Sequence, residues 1–316
     1  MRRKILIDTD PGIDDAMAIY YALGSPELDV IGLTTIFGNA RTPQATANAL
    51  TLLDVAGRPD IPVVEGAHGP LAGGVFDHPA TFVHGDDGLG DAGSPGSPRT
   101  VQPGDAAQFI VDSARATPGE ITLVPLGPLT NVASAFALEP RLGELLSGIV
   151  LMGGSAFVPG NVSPAAEANI FKDAEAADIV FGVSCPLVMA GLDVTASTVM
   201  RTADIARLTS RPGRRAAHLG EILPCYAEFH ERIGVTDGVF IHDPMPISYL
   251  LAPDAFEWVE HPIRVDTGTS VGRGATLACT RRGGPWPAWA DRPPVRILTA
   301  VNAARVIELQ IANTGD

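Results

Sequence analysis

The sequence predicts an α/β fold, a single domain whose mainly parallel central sheet is flanked by helices. Three observations predict it. Apolar strand-like runs alternate with helix-like segments along most of the 316 residues, the connections between them are short, and polar residues follow the carboxyl ends of several runs. The hydrophobic content of 46% is enough for a sizeable core.

Short apolar runs predict the strands, because each is bounded by turn-forming residues. These runs lie at residues 5–7, 30–36, 62–64, 121–124, 149–152, 187–190, 263–265, 275–279 and 295–299. Helical spacing of apolar residues predicts the helices. They lie at residues 14–23, 43–56, 105–116, 129–138, 173–181, 203–232 with a break at 211–213, 247–251 and 303–311.

Two segments without periodicity are predicted to be loops. Residues 66–104 are rich in Gly, Pro and Asp, and residues 282–294 are rich in Gly, Pro and Trp. Candidate functional residues lie on both sides of the first segment. We therefore expect residues 1–316 to form one domain with a functional loop around 66–104 rather than two domains.

The charge and composition exclude several function classes. A net charge of -14 argues against nucleic acid or an anionic membrane as partner. No run reaches the ~18–20 apolar residues of a membrane span, and the three cysteines show no metal-binding spacing. We expect a cytoplasmic protein, with His68, His78, His218 and His261 at its surface.

The N-terminal segment contains four aspartates within eight residues: Asp8, Asp10, Asp14 and Asp15. They follow an apolar strand-like run, surround a Pro-Gly turn and precede a helix, which is how α/β enzymes present a reactive site. A helix cap would explain one acidic residue. Four carboxylates that close repel one another unless a cation or substrate hydroxyls absorb their charge.

Further polar residues follow other strand-like runs, where an open parallel sheet places its crevice. They are Asn39, Asn131, Asn161, Glu167, Asn169, His242 and Asp243. Asn39 also fits an ordinary turn, and Asn131 also fits a helix cap. His242 is suited to donate a proton near neutral pH, and Asp243 offers a hard oxygen ligand. His84 lies in an acidic loop that is either a lid or plain surface.

These motifs together resemble the inosine-uridine nucleoside hydrolase family. The resemblance rests on the segment from Asp8 to Asp15, and on Gly38-Asn39. It also rests on residues 123–131, 150–154, 160–161, 166–169 and 191–195 and on the segment from His242 to Pro244. It runs from residue 4 to about residue 310 and implies a Rossmann-like fold of the nucleoside hydrolase type, with a homodimer or homotetramer as the assembly.

The resemblance implies Ca²⁺-dependent hydrolysis of the N-glycosidic bond of ribonucleosides to ribose and free base. Asp10, Asp15 and Asp243 would bind the Ca²⁺ through carboxylates, and Leu126 through its backbone carbonyl. Asp10 would also take a proton from the attacking water, and His242 would protonate the leaving base. The ribose contacts would be Asp14, Asn39, Asn161, Glu167 and Asn169, with Met152 packing nearby.

The contacts to the base are left open by the resemblance. Tyr226, Phe229 and His230 precede the His-Asp pair and are candidates, as is His84; the alternative for the first three is a packed helix face. His230 could share the acid role. The segment 270–276 fits the family's late Arg-Gly pattern only loosely.

Two other functions compete with the hydrolase. The spacing of Asp8 and Asp10 resembles the nucleophile and acid of haloacid-dehalogenase-type phosphatases, with Lys172 as the candidate phosphate-binding lysine. A non-catalytic nucleoside or ribose-binding protein is the other alternative. Such a binding protein would have to keep Asp10, Asp15, His242 and Asp243 and yet not catalyse hydrolysis.

Overall fold

A computed structural model describes residues 2–281 and 286–315. Its strands are β1 (Arg3–Thr9), β2 (Leu28–Thr35), β3 (Val63–Glu65), β4 (Ile121–Pro125), β5 (Gly148–Met152), β6 (Leu187–Ala190), β7 (Val199–Met200), β8 (Val239–Phe240), β9 (Phe256–Val265), β10 (Thr276–Ala278) and β11 (Pro294–Val301).

The helices alternate with these strands. They are α1 (Ile13–Gly24), α2 (Thr42–Val55), α3 (Thr81–His84), α4 (Ala106–Ala116), α5 (Thr130–Leu138), α6 (Leu142–Leu145), α7 (Ala168–Lys172), α8 (Ala174–Val180), α9 (Leu192–Thr195), α10 (Thr202–Thr209), α11 (Arg214–Arg232), α12 (Pro244–Leu251) and α13 (Ala303–Thr314). Short 3-10 turns lie at Pro253–Ala255 and Pro287–Trp289. No helix of the described residues is both long and apolar enough to cross a bilayer.

The main sheet confirms the predicted α/β class. Within the described residues it has nine strands in the order β10-β9-β11-β6-β5-β4-β1-β2-β3. The strands from β11 to β3 pair in parallel, and β9 pairs antiparallel with both β11 and β10 at one edge. Strands β7 and β8 form a separate antiparallel pair.

Strand β1 lies inside this sheet and divides the core into two layers. Ile5 and Ile7 pack into one hydrophobic cluster, and Leu6 packs into the cluster on the opposite face, as the period of two in a strand requires. Helix α1 is buried along most of its length because it contacts α11, α12 and α13 as well as β2. The helix that follows β1 is thereby held firmly in the core.

Several elements differ from the sequence prediction. Strand β9 is ten residues long rather than the three predicted, because its exposed positions carry Glu257 and Trp258 and conceal the strand pattern. The 66–104 loop contains the short helix α3. The predicted loop at 282–294 holds a 3-10 turn, and its residues 282–285 lie outside the described part of the chain.

One histidine was wrongly expected at the surface. His218 on α11 is buried, since its Nδ1 lies 2.7 Å from the Tyr20 hydroxyl and its Nε2 lies 2.9 Å from Ser94 Oγ. Hydrogen bonds at both ring nitrogens make the burial of an imidazole affordable. The contact also fastens the 66–104 loop to α11 and α1.

Candidate active site

The Asp-rich segment forms a tight turn between β1 and α1. Asp15, in the first turn of α1, accepts hydrogen bonds from Thr9 Oγ1, from the backbone N–H of Gly12 (2.9 Å) and from Asn39 Nδ2 (3.0 Å). The bond from Gly12 is a capping interaction, so the helix-cap explanation holds for Asp15 in part. The bond from Asn39 fastens the turn to the end of β2.

Asp10 is enclosed more closely still. Its Oδ2 accepts the backbone N–H of Asn39 at 2.6 Å, and its Oδ1 is buried with no hydrogen-bond partner. A Cβ atom at Gly38 would lie 1.9 Å from Asp10 Oδ2, and one at Gly127 would lie 2.4 Å from Asp10 Oδ1. Only glycine at these two positions lets the neighbouring loops approach the carboxylate so closely.

A group of carboxylates meets at the end of β1. Asp14, Asp15 and Asp243 each place one oxygen within 4.8 Å of the others, and all three are buried. Asp243 reaches this point because it begins α12, which packs against α1. The predicted ligand Asp10 is not part of this group, although its charge influences Asp243.

Burial dominates the electrostatics of this cluster. It raises the pKa of Asp14 to about 7, with repulsion from Asp15 adding to the effect. It also raises the pKa values of Asp10 and Asp243 well above the usual range, again with repulsion from neighbouring carboxylates. In the absence of a compensating cation, ionising all of these groups together is therefore strongly unfavourable.

Asn169 links the next two strands at the site. Its Nδ2 donates to the Leu126 carbonyl oxygen at 2.6 Å and lies 3.3 Å from the Met152 carbonyl oxygen. Leu126 directly follows β4 and Met152 ends β5, so one amide holds both carboxyl ends. The main-chain oxygen of Leu126 accepts a hydrogen bond from Asn169, and its role as a metal ligand stays a prediction.

Glu167 and Asn161 sit on the loop that leads into α7. The Glu167 carboxylate caps this helix and accepts the backbone N–H groups of Gly154, Asn169 and Ile170. Burial raises its pKa, and these three donors oppose the shift. Asn161 Oδ1 accepts the N–H of Ala168 at 3.0 Å. Both side chains are therefore held in place by the protein itself.

Aromatic and imidazole rings form the opposite wall. His84 stacks on Tyr226 with ring centroids 5.7 Å apart, and Tyr226 meets His230 edge-on at 4.3 Å. Phe229 packs on His230 from the same helix. The Tyr226 hydroxyl donates to Asp14 Oδ2 at 3.2 Å, which joins this wall to the carboxylates.

Hydrogen bonds fix which ring nitrogen carries the proton in two neutral histidines. His84 Nδ1 accepts the backbone N–H of Ile13, so its proton is on Nε2, 3.9 Å from Asp14 Oδ1. His230 Nδ1 donates to the Tyr226 carbonyl, so its Nε2 is unprotonated; this atom is buried without a partner. The expectation that His230 shares the acid role is not supported by this tautomer.

His242 lies next to Asp243 at the end of β8. Its Nδ1 is 2.8 Å from Thr195 Oγ1, and Phe240 packs against its ring. Burial lowers the pKa of His242 to about 3 and that of His84 to about 3. Both imidazoles are therefore neutral at pH 7, and a hydrogen bond from a neutral N–H is the form in which either could assist a leaving base.

One cavity of about 710 Å³ gathers these features. Its lining includes thirteen of the residues predicted from the sequence: Asp14, Asn39, His84, Leu126, Met152, Asn161, Glu167, Asn169, Tyr226, Phe229, His230, His242 and Asp243. The remaining two, Asp10 and Asp15, are fully buried beneath this lining. The structure therefore brings the whole predicted set to one place, although the role of each residue stays a prediction.

Sequence reasoning missed part of the lining. Phe76, Phe82 and Phe240 contribute apolar walls, and their position in irregular or short elements gave no signal. Lys172 was named only as the phosphate-binding lysine of the phosphatase alternative, yet it lines the cavity with its ammonium 3.8 Å from Asp10 Oδ2. Its place three residues after Asn169 on α7 is the signal that could have found it.

Asp8 and Asn131 support the site from behind. Asp8 Oδ1 accepts Thr34 Oγ1 at 2.6 Å and Asn131 Nδ2 at 2.8 Å, and neither Asp8 nor Asn131 lines the cavity. Asn131 also binds the Thr35 carbonyl and the N–H of Ala67, so it joins β1, β2 and the 66–104 loop rather than capping a helix. Because Asp8 is bound by Thr34 and Asn131 behind the cavity, the geometry gives no support to its role as a phosphatase nucleophile.

Comparison with known proteins agrees with this geometry. The chain is 46% identical over 310 residues to probable uridine nucleosidase 2 of Arabidopsis thaliana, covering 98% of this chain and 96% of that protein. It is 39% identical over 279 residues to an inosine-uridine preferring nucleoside hydrolase of Leishmania major, covering 88% of each chain. A solved plant nucleoside hydrolase, PpNRh1, superimposes with a TM-score of 0.96 at 40% identity over 99% of both chains.

The family comparison covers nearly the whole chain. Residues 5–308 match the model of the inosine-uridine preferring nucleoside hydrolases. The match includes β1 with its aspartates, the cavity-lining segments and the His242-Asp243 pair, so the haloacid-dehalogenase alternative is wrong. This chain belongs to the inosine-uridine preferring nucleoside hydrolase family.

Proposed function

We propose that the protein hydrolyses the N-glycosidic bond of ribonucleosides with a bound Ca²⁺, releasing ribose and the free base. Family membership gives the reaction class, ribonucleoside hydrolysis. The calcium dependence and the roles of single residues are the proposed part. The observation that carries them is a cluster of buried carboxylates with unpartnered oxygens at the base of a cavity of about 710 Å³.

The donor set fits a hard divalent cation. Asp10 Oδ1 and Asp14 Oδ1 are buried without hydrogen-bond partners, which is costly unless something binds there. Carboxylate and carbonyl oxygens in an irregular arrangement suit Ca²⁺. We assign Asp10, Asp15, Asp243 and the Leu126 carbonyl as its ligands. When bound, Ca²⁺ would offset the carboxylate charge and acidify water at the site.

The protein's own groups would orient the sugar and move the protons. Asp14, Asn39, Asn161, Glu167 and Asn169 would bind the ribose hydroxyls, and hydrogen bonds already hold most of these side chains in place. Asp10 would accept the proton of the attacking water through its unpartnered Oδ1.

The leaving base would sit against the ring wall. Met152 and Phe229 supply apolar contact, and His242 is the proposed donor of a hydrogen bond to the departing nitrogen. Several curated relatives are named uridine nucleosidases. We therefore propose uridine as the first substrate to test, with inosine and cytidine beside it.

Removal of calcium tests the proposal directly. Release of free base should stop after treatment with a strong chelator and return when Ca²⁺ is added. Because the cation binds only the folded site, saturating Ca²⁺ should also raise the melting temperature by roughly 5 °C. Base release is measured by chromatography, and melting by circular dichroism.

Different outcomes overturn different parts of the proposal. Full activity in protein shown by elemental analysis to be metal-free would remove the calcium dependence. Failure of the calcium-loaded protein to cleave any common ribonucleoside, with binding still detected by calorimetry, would instead support the non-catalytic nucleoside-binding alternative.

A second prediction concerns the Tyr226 hydroxyl. Because it donates to Asp14 Oδ2, Tyr226→Phe should lower kcat/KM roughly tenfold, the effect of losing one hydrogen bond to a charged group. The matched control is Tyr249→Phe, whose hydroxyl binds Arg296 away from the cavity. Equal kinetics for both variants would contradict the role assigned to Tyr226.

The expected homodimer or homotetramer and the cytoplasmic location stay predictions. Light scattering coupled to size-exclusion chromatography measures the first, and cell fractionation measures the second.

A further inference from the structure

Lys172 is one of two lysines in the chain, and their surroundings differ sharply. Lys4 forms a surface ion pair with Glu120 at 2.7 Å. The Lys172 side chain is only 11% exposed, and its ammonium lies 3.8 Å from Asp10 Oδ2 at the base of the cavity. A buried lysine normally requires a charged partner.

The charges around Lys172 are strongly unbalanced. Five buried carboxylates lie in or beneath the cavity lining: Asp10, Asp14, Asp15, Glu167 and Asp243. Arg273 also lines the cavity, but its guanidinium donates to both oxygens of Glu175 at 2.9 and 2.7 Å. Arg273 is therefore already neutralised, and among residues 2–281 and 286–315 Lys172 is the cation that faces the carboxylates.

We propose that Lys172 acts as a tethered counter-cation of the carboxylate cluster, stabilising the cation-free protein and weakening its affinity for a divalent cation. This inference rests on the Ca²⁺ binding proposed above. The ammonium contacts Asp10, which is also a proposed Ca²⁺ ligand. The two positive charges would therefore compete for one carboxylate.

Two responses of the lysine are available, and both lower cation affinity. If the ammonium stays in place, it repels the incoming dication. If its flexible four-carbon stem carries it away, the protein loses the contact with Asp10. In either case a neutral side chain of similar shape at position 172 removes this loss of cation affinity. Lys172 would thereby set the calcium concentration at which the site fills.

Calcium titrations of the metal-free, full-length protein test this inference. Isothermal titration calorimetry should show that Lys172→Met binds Ca²⁺ roughly tenfold or more tightly than the unmodified protein. Lys172→Arg, which keeps the charge, should stay within about threefold, since it preserves the competing cation. Lys4→Met removes the other lysine and should leave the affinity unchanged.

Thermal unfolding supplies a readout that is independent of turnover. Without calcium, Lys172→Met should melt at a lower temperature than the unmodified protein, because the carboxylates lose their counter-charge. Saturating Ca²⁺ should abolish this difference. Lys4→Met should have the same melting temperature as the unmodified protein, both without calcium and with saturating calcium.

The outcomes separate this inference from the function on which it rests. If the unmodified protein binds Ca²⁺ and Lys172→Met binds it equally or more weakly, the inference is wrong and the proposed function stands. If neither protein binds Ca²⁺, the inference and the calcium dependence fall together. A metal-free Lys172→Met that melts at or above the unmodified protein also overturns the counter-cation role.

Discussion

Replacing Asp10 by asparagine is expected to lower kcat for ribonucleoside hydrolysis roughly a thousandfold, the middle of the range for losing a general base. The amide has nearly the shape of the carboxylate, and its oxygen can still accept the Asn39 N–H. It carries no charge for a cation and no basic oxygen for the proton of water. Single-turnover and steady-state kinetics measure the effect.

The neighbouring Asp8 offers a matched control. It is equally buried, but it binds Thr34 and Asn131 behind the cavity. Asp8→Asn can keep both bonds through its amide oxygen, so we expect it to retain at least about a tenth of the original kcat. An active Asp10→Asn beside an inactive Asp8→Asn would reverse the assignment of the two aspartates.

The metal-free protein is expected to become less stable as the pH rises above about 6.5. Burial raises the pKa of Asp8 and of Asp14 from 3.8 to about 7, and it raises those of Asp10 and Asp243 well above the usual range. Above pH 6.5 the folded state thus binds more protons than the unfolded state. Stability then falls by about 1.4 kcal/mol per pH unit for each carboxyl group still protonated.

The buried histidines set the lower limit of the pH range in which stability falls. Burial lowers the pKa values of His84 and His242 to about 3, so folding them costs stability below pH 6.5, where the unfolded imidazoles are charged. That contribution opposes the carboxylates at lower pH and vanishes above pH 6.5. The decline should therefore emerge above pH 6.5.

Melting temperatures in a chelator, measured across this pH range, test the expectation. Saturating Ca²⁺ should flatten or reverse the decline, because the cation binds the ionised carboxylates and favours their charged form. A melting temperature that rises steadily with pH in the chelator would contradict the electrostatic description of the cluster.

Much of the site was predictable because its residues directly follow strands. The apolar run before Asp10 defines β1, and the Pro-Gly turn before Asp14 and Asp15 defines the start of α1. The carboxyl ends of parallel strands share one edge, so Asn39 was expected near them, whereas Leu126 was implied only by the family resemblance. Local sequence carried this information without knowledge of long-range contacts.

The rest depended on packing that no local pattern encodes. Asp8 and Asp10 are two residues apart, so the strand period of two alone would place them on the same face. Strand β1 ends at Thr9, and Asp10 lies in the turn beyond it, which leaves Asp8 behind the cavity and Asp10 beneath it. His218 was expected at the surface, yet Tyr20 and Ser94 bury it through contacts with distant segments. Strand β9 was underestimated because its outward residues are charged or aromatic.

The approach of α12 to α1 unites carboxylates from opposite ends of the polypeptide. During translation, Asp10 and Asp15 leave the ribosome long before Asp243 is made. A nascent chain therefore cannot assemble the proposed ligand set until most of its sheet has been synthesised. Ion capture would accordingly be a late event in biogenesis, and fragments that stop before α12 would keep an acidic cluster lacking one of its members.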